Sequence, residues 1–443
     1  MDHQTTRRPV GDHQQALGAL VGPALSRPRR RTHALTALLG EAGRGALPRV
    51  VAGDAVAAAD LPGFDNSQMD GYAVRAADLT GATPSDPVVL PVVAPVPAGT
   101  QAPPLARGTA APVMTGSPVP ADADAVVRIE DAEPPVFPEP GTPATVRFAA
   151  PVRPGTFVRR AGSDVAAGDV VVPAGTPLGP AQLGVLVAAG VAEVEVAEPS
   201  HVLLVSTGSE LVPAGRSLGD AQVHDANGAM LTAALAEVGA RVTQRVVPDD
   251  PAALRAVLAE APDDVALVVT SGGVSAGAYE VVRQTLTDAW FGHVAVQPGG
   301  PQGLGTIALG KLSGSGPGMD RPESDNSRSD RSRAVPLVAF PGNPVSALVS
   351  FELFLRPVLA ASTGAAPAHR PRRRAPLAAP LDSPEHLHQV RRARLDADGR
   401  VEMVGGPGSH LLAHLAAATL LVHVPPGVAH LEEGDDVDCW EIR

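Results

Sequence analysis

Three loops rich in hydroxyls, glycine or proline follow apolar runs in the middle of this chain, and their composition suits an anionic small molecule. HVLLV leads into STGSEL (His201 to Leu211), VALVV into TSGGVSAG (Val265 to Gly277), and VPLVAF into PGNPVSA (Val335 to Ala347). Thr270, Ser271 and Ser275 offer hydroxyls, and Gly272, Gly273 and Gly277 let the backbone come close to a ligand. A helix expected to begin near Tyr279 points its amino end at this loop, where free amides and the macrodipole stabilise negative charge. The loop lacks both the Gly-Lys-Ser/Thr ending of a nucleotide P-loop and dinucleotide-fingerprint spacing, so a plain strand-to-helix turn stands as the alternative. Glu210 follows the first turn, and VHDANGAM then supplies Asp225 and Asn227. Two carboxylates beside a phosphate suit Mg²⁺, although Asp and Asn at a helix start most often serve as caps. Pro341 and Pro344 bracket Gly342 and Asn343, which fixes a turn or shapes a pocket wall. Far upstream, FDNSQMDGYAV sets Asp65, Asn66, Ser67 and Asp70 before Gly71, and spacing alone leaves a working loop and an idle solvated one equally open.

A parallel α/β sheet positions loops of this kind, because all of them emerge at its carboxyl edge, near the point where strand order reverses. Helical patterns at Ala229 to Val238 and Pro251 to Glu260 alternate with the strands from about Ser200 to Ala361, as such a sheet requires. Residues 1–10 read as disordered. Residues 11–60 carry helical spacing, with Leu35, Leu38 and Leu39 on one face and the alanine-rich Val50 to Ala59 nearby. Short apolar stretches separated by Pro and Gly, such as Val88 to Val93 and Ala125 to Glu130, indicate a small β domain. Short strands and turns over Val152 to Leu178 precede a helix at Pro180 to Ala189. KLSGSGPGMDRPESDNSRSDRSR (Lys311 to Arg333) has almost no apolar residue and reads as a disordered insertion. Beyond Arg374, the runs Ala418 to Pro425 and Asp436 to Ile442 suggest a compact β barrel or sandwich. The fold class expected is therefore α/β and multidomain: a three-layer domain around a parallel-rich sheet, with β-rich satellites.

The chain has 443 residues, enough for several cores, and a formal net charge of -12 that argues against broad nucleic-acid binding. Lys311 is the only lysine, so fixed positive charge at an anion site must come from arginine, helix amino ends or a metal. Arginines cluster at Arg27 to Arg31 and at Arg370 to Arg374. Cys439 stands alone, which excludes an intrachain disulfide and fits a reducing cytoplasm. No uninterrupted apolar run reaches membrane-spanning length. Arg7 and Arg8 before Ala16 to Leu25 read as a solvated tail and a short amphipathic helix rather than an export signal.

LPGFDNSQMDGYAV, PVMTGSPVPADADAVVRIED, FVRRAGSDVAAGDVVVPAGTPLG, STGSELV, TSGGVSAG, PGNPVSA and GSHLLAHL occur in that order. Together they make the chain closely resemble the molybdopterin molybdenumtransferase family, MoeA, related to the E domain of gephyrin. The resemblance implies an enzyme that takes adenylylated molybdopterin and molybdate, releases AMP and leaves molybdenum on the pterin dithiolene, assisted by Mg²⁺. It implies a cytoplasmic homodimer, with further contacts to the adenylyltransferase and to recipient molybdoenzymes, and neither nucleic acid nor membrane as partner. The domains it implies are a discontinuous N-terminal and linker domain at 11–60 and 150–199, a β-rich insertion at 61–149, a MogA-like α/β domain at 200–365 and a β barrel at 366–443. Matched motif by motif, Asp70 and Thr115 are expected from the partner subunit, Asp164 as a further carboxylate, Glu210 and Asp225 as metal-holding acids, and Glu280 as a site acid. Glu280 replaces the family's aspartate, and the strand that often reads Lys-Pro-Gly-Lys-Pro is Gln297-Pro298-Gly299-Gly300-Pro301, without either lysine. Two other readings remain: a molybdopterin adenylyltransferase, and a catalytically reduced pterin-binding scaffold or chaperone.

Overall fold

The computed structural model describes residues 7–26, 29–43, 49–139, 141–274, 281–286, 288–310 and 333–442. Ser275, Gly277 and Glu280, the helix start near Tyr279 and the insertion up to residue 332 lie outside the described residues. The chain divides into two compact units: residues up to 31, 41–50 and 196 onward in one, and 32–40 with 51–195 in the other.

In the first unit the apolar runs become strands β1 (His201–Thr207), β2 (Arg241–Val247), β3 (Val265–Ser271), β4 (Trp290–His293), β5 (Pro301–Leu309) and β6 (Arg333–Phe340). They order as β2-β1-β3-β6-β5-β4, and the four from β2 to β6 run parallel. The chain leaves β1 on one side for β2 and returns on the other for β3, which creates the reversal of strand order beside β1. Side chains alternate between the faces, as the two-residue period of a strand demands. Val202, Leu204, Leu267, Val269, Val338 and Phe340 enter one core; Leu203, Val205, Val268, Leu337 and Ala339 enter the other. The first core is closed by α1 (Val10–Leu25), α2 (Ala226–Glu237), α4 (Pro344–Ser350) and α5 (Arg356–Thr363); the second by α3 (Pro251–Ala259). This is the expected three-layer arrangement.

His13, Leu17, Val21 and Leu25 are buried at four-residue intervals, one stripe of α1. The helix continues through Pro23, whose exposed last-turn position costs little packing. Of the residues 1–10 expected to be disordered, 1–6 lie outside the described residues, and Arg8 to Val10 are ordered. Arg8 exchanges backbone hydrogen bonds with His293 and Ala295, each 2.8 Å long. Its guanidinium lies 3.5 Å from the Trp290 ring centroid, a cation–π stack that composition alone does not reveal.

His13 packs edge-on to Phe354 at 4.7 Å and near Trp290 at 5.5 Å. Burial, and then the Arg8 charge, push its pKa down from 6.5 to about 4. A depressed folded-state value means that the stabilisation is complete above about pH 6.5 and is lost as pH falls through about 4. Over that window it amounts to about 3 kcal/mol. Thermal melts at about pH 7 and pH 4.5 are expected to show a drop for the parent about 5 °C larger than for His13→Leu.

The carboxyl-terminal strands in the same unit order as Val296–Gln297, His388–Leu395, Leu420–Val424, Asp436–Glu441 and Arg372–Pro376, with Val401–Met403 also on His388–Leu395. The first and last are edges that do not pair with each other, so the described residues form an open sheet and not the expected barrel. Val296–Gln297 is only two residues long and runs into Pro298, which has no N–H to extend a ladder.

In the second unit, Gly71–Val74 is the centre of a three-stranded antiparallel sheet between Ala111–Val113 and Ala125–Arg128. Val88–Val92, Ala144–Phe148 and Ala132–Glu133 form another, and Tyr72, Leu79, Val146 and Phe148 fill the core. Leu35 and Leu38 are buried in a helix (Leu35–Gly43), whereas Leu39 is exposed. Val50 to Ala59 departs from the helical reading: Val50–Val51 and Ala55–Val56 are short strands, consistent with β-branched residues beside Gly53.

Candidate functional site

Strand register sets the site. Ser206 of β1 lies opposite Ser271 of β3, and Ser271 lies opposite Phe340 of β6, so the three loops leave the sheet level with one another. Between them is a cavity of about 240 Å³ whose walls include Ser206, Glu210, Asp225, Asn227, Ser271 and Gly342.

Two glycines let the middle loop fold against its neighbour. Gly272 has φ +93°, and an added Cβ there would sit 2.7 Å from the Thr207 carbonyl oxygen. Gly273 has φ +66° and a comparable clash with Val282. Asn227 joins the second and third loops. It stands in the first turn of α2, and its Nδ2 donates to Ser271 Oγ at 2.8 Å and to the Gly342 carbonyl at 2.6 Å. Its Oδ1 is buried without a partner among the described residues, as are Ser206 Oγ and Thr270 Oγ1. Unpaired buried polar atoms are costly, and three at one sheet edge are what a polar ligand would satisfy.

Asp225 is 5% exposed, and each of its oxygens accepts one hydrogen bond. Oδ1 accepts from Gly228 N at 2.8 Å, capping α2, and Oδ2 accepts from Gln244 Nε2 at 2.9 Å. The capping role that the sequence offered as the bland reading is therefore present, on the wall of the cavity. Glu210 is exposed, and its carboxylate has no hydrogen-bond or ion-pair partner among the described residues. Its side chain folds over Gly208, where an added Cβ would meet the carboxylate oxygens at 2.7 and 2.8 Å. Pro341 is buried, Gly342 and Asn343 are exposed, and Pro344 opens α4 at its first turn. Gly342 approaches Gly272 closely enough that an added Cβ would lie 3.5 Å from its Cα.

Other expected residues lie in the second unit. Asp70 and Thr115, 45 positions apart, meet at an exposed tip: Asp70 Oδ1 accepts from Thr115 N at 2.7 Å and from Thr115 Oγ1 at 2.9 Å. These bonds, the backbone one foremost, hold the Asp70 carboxyl below its usual range. Asp65 accepts from Ala161 N at 2.8 Å and pairs with Arg160. Asp164 is exposed, with its backbone N–H given to Leu61 O at 3.0 Å. Among the described residues no three His, Cys, Asp or Glu side chains gather in a metal-holding group.

Family models match nearly the whole chain: the MoeA N-terminal region (domain I and II) over residues 9–190, a probable molybdopterin binding domain over 203–361, and the MoeA C-terminal region (domain IV) over 374–442. Molybdopterin molybdenumtransferase 2 of Mycobacterium tuberculosis is 42% identical over 405 residues, which cover 89% of this chain and 92% of that one. The chain belongs to the molybdopterin molybdenumtransferase family. Molybdopterin molybdenumtransferase 1 of the same organism is 34% identical, covering 85% and 88%. The crystal structure of the molybdopterin biosynthesis MoeA protein from Pyrococcus horikosii superposes with a TM-score of 0.75 at 27% identity, over 99% of this chain and 100% of that one.

With no lysine in the segment Gln297-Pro298-Gly299-Gly300-Pro301, other cations matter. Gln297 Oε1 is occupied by Gln389 Nε2 at 2.8 Å. Gly299 must be glycine, with φ +100° and Ser350 Oγ 3.0 Å from an added Cβ; Gly300 has only ordinary contacts of 3.5 Å or more, so crowding does not forbid a side chain there. Sequence reasoning missed Arg391 and Arg392, which are 9% and 2% exposed. Their guanidiniums donate to the carbonyls of Gly405, Gly406 and Gly408, and each Nε is buried without a partner among the described residues. Burial pushes both pKa values down, and for Arg392 the neighbouring Arg391 adds to the effect. The loop they hold reaches the site: Ser409 O accepts from Val345 N, at the start of α4, at 3.1 Å. Two consecutive arginines inside the strand-like HQVRRARL were the available signal, because charge buried in a strand needs a purpose.

Proposed function

We propose that this protein inserts molybdate into adenylylated molybdopterin with release of AMP, in molybdenum cofactor biosynthesis. The observation that carries the reading is the level set of three loops around a polar cavity, with Ser206 Oγ and Asn227 Oδ1 buried at its wall and unpaired. The Gly273 amide and the Ser271 hydroxyl orient the phosphate, the Gly272 amide being given to the Phe340 carbonyl at 3.0 Å, and Asn227 fixes the spacing of the second and third loops beside it. Glu210, with its carboxylate unengaged, and Asp225 behind it form an oxygen donor set that fits Mg²⁺ shared with substrate phosphate. That ion would supply charge neutralisation at the phosphoanhydride. Arg391 and Arg392 supply positive potential behind the loop at Ser409, on the same side as α4. Asp70, Thr115 and Asp164 serve the site of a second copy in a homodimer, which explains why so polar a tip is kept in order. A cytoplasmic setting fits this chemistry and the lone thiol. The four-domain division at 11–60 with 150–199, 61–149, 200–365 and 366–443 completes the reading. One helical run, Pro344–Thr363, is apolar enough to span a membrane, but 72% of its apolar window is buried inside the fold, as for a core helix.

The test is AMP release from purified protein given adenylylated molybdopterin, molybdate and Mg²⁺. Release that requires molybdate supports the transferase. ATP consumption with free molybdopterin would instead support an adenylyltransferase. Tight pterin binding without turnover would support the scaffold reading, which the missing lysines favour.

A further inference from the structure

The opposite edge of the central sheet carries a second concavity that the proposed reaction does not use. At the amino ends of β1, β3 and β6 lies a groove of about 550 Å³, lined by Arg29, Arg30, Arg31, Arg241 and Arg333 together with Glu198 and Asp264. Five arginines face two carboxylates there, in a chain whose formal net charge is -12.

Asp264 offsets one member of the cluster, Arg241, and Glu198 lies 3.7 Å from Arg49, so two carboxylates leave an excess of positive charge among five arginines. Asp264 is spent on His201 Nδ1 at 2.7 Å and on Arg241. His201 is 2% exposed, and its Nε2 contacts Thr243 Oγ1 at 2.7 Å, so the floor of the groove is a fixed polar network. Arg333 donates to the Val265 carbonyl and is thereby held at the rim. Arg29 and Arg31 are exposed, and neither guanidinium has a hydrogen-bond or ion-pair partner among the described residues. The volume falls in the range of small-ligand sites. Guanidinium forks are the groups that bind phosphate oxygens two at a time.

We propose that this groove binds a small phosphorylated anion carrying two or more negative charges, of the pyrophosphate or nucleoside-diphosphate class, at a site separate from the carboxyl edge. Strands β1 and β3 are seven residues long, which puts the two edges about 20 Å apart. One ligand of this class cannot span both, so the two sites are occupied independently.

Titration calorimetry of the full chain with inorganic pyrophosphate tests this, with ADP as a second probe. The Arg29→Ala/Arg31→Ala double variant, changed only at exposed side chains, is expected to bind pyrophosphate at least 10-fold more weakly, with a shallower dependence on salt. Asn227→Ala, at the other edge, is expected to retain the parent affinity for this component. Tighter binding of ADP than of pyrophosphate would assign a nucleotide, and equal binding the phosphates alone; either supports the site. Unchanged affinity in the double variant overturns it. So does loss of all pyrophosphate binding in Asn227→Ala, which would place the anion at the carboxyl edge. Binding of an oligoglutamate peptide but not of pyrophosphate would also overturn it, in favour of an acidic protein segment.

Discussion

Asp225→Asn is expected to slow AMP release about 100-fold, the scale of removing one electrostatic contact at a reacting phosphate, while leaving the melting temperature within about 2 °C of the parent. The logic is that this residue does two things at once. Its Oδ1 caps α2 through Gly228 N, and asparagine caps a helix about as well as aspartate. Its Oδ2 receives Gln244 Nε2, and a flip of that amide would present an oxygen to the new amide group. Capping therefore survives and the negative charge goes. Asp225→Ala removes both, with about 1 kcal/mol lost from the cap alone. Steady-state AMP release and melting curves on both variants separate the roles. Parent-like turnover in the asparagine variant would reduce Asp225 to a helix cap.

The largest loss of stability is expected from Glu352→Ala. Glu352 is 2% exposed and accepts from Arg370 at 2.8 and 3.0 Å, with Arg356 a further 3.7 Å away. Arg370 also reaches Glu237 on α2, so the network ties α2 and α5 to the segment that enters the carboxyl-terminal strands. Burial works against the Arg370 charge, yet the bonds to Glu352 and Glu237 more than offset it and raise its pKa. Removing the buried carboxylate leaves Arg356, 4% exposed, and Arg370, 13% exposed, with only Glu237 between them. Breaking one partner of such a network costs about 3–5 kcal/mol, or a melting temperature lower by about 10 °C. Calorimetric melting of the variant checks this, and a shift below about 2 °C would mean that solvent replaces the lost partner.

The carboxyl-edge loops were legible because their chemistry is local. A run such as VALVVTSGG carries its own strand, its hydroxyls and its positive-φ glycines within nine residues. The register that brings Ser206, Ser271 and Phe340 level is not local, yet a parallel sheet leaves few other ways to pair such runs. Asn227 was seen as a possible cap, but its bridge between Ser271 and Gly342 depends on contacts 44 and 115 positions away. Arg391 and Arg392 were overlooked for a related reason: arginine reads as surface unless the strand around it is known to be buried. The barrel expected at the carboxyl end rested on strand density, which does not determine whether two edges meet. The ordering of Arg8 rested on Trp290, a partner that no window on the amino terminus contains.

The stripe of α1 formed by Leu17, Val21 and Leu25 has a consequence for biogenesis. Its counterpart in the core begins only at Val202, so during translation the helix has nothing native to pack on until about 175 further residues have left the ribosome. At about 5–20 residues per second that wait is on the order of 10–35 s. A nascent chain of this protein therefore leaves the apolar stripe of α1 without its native partners throughout that interval.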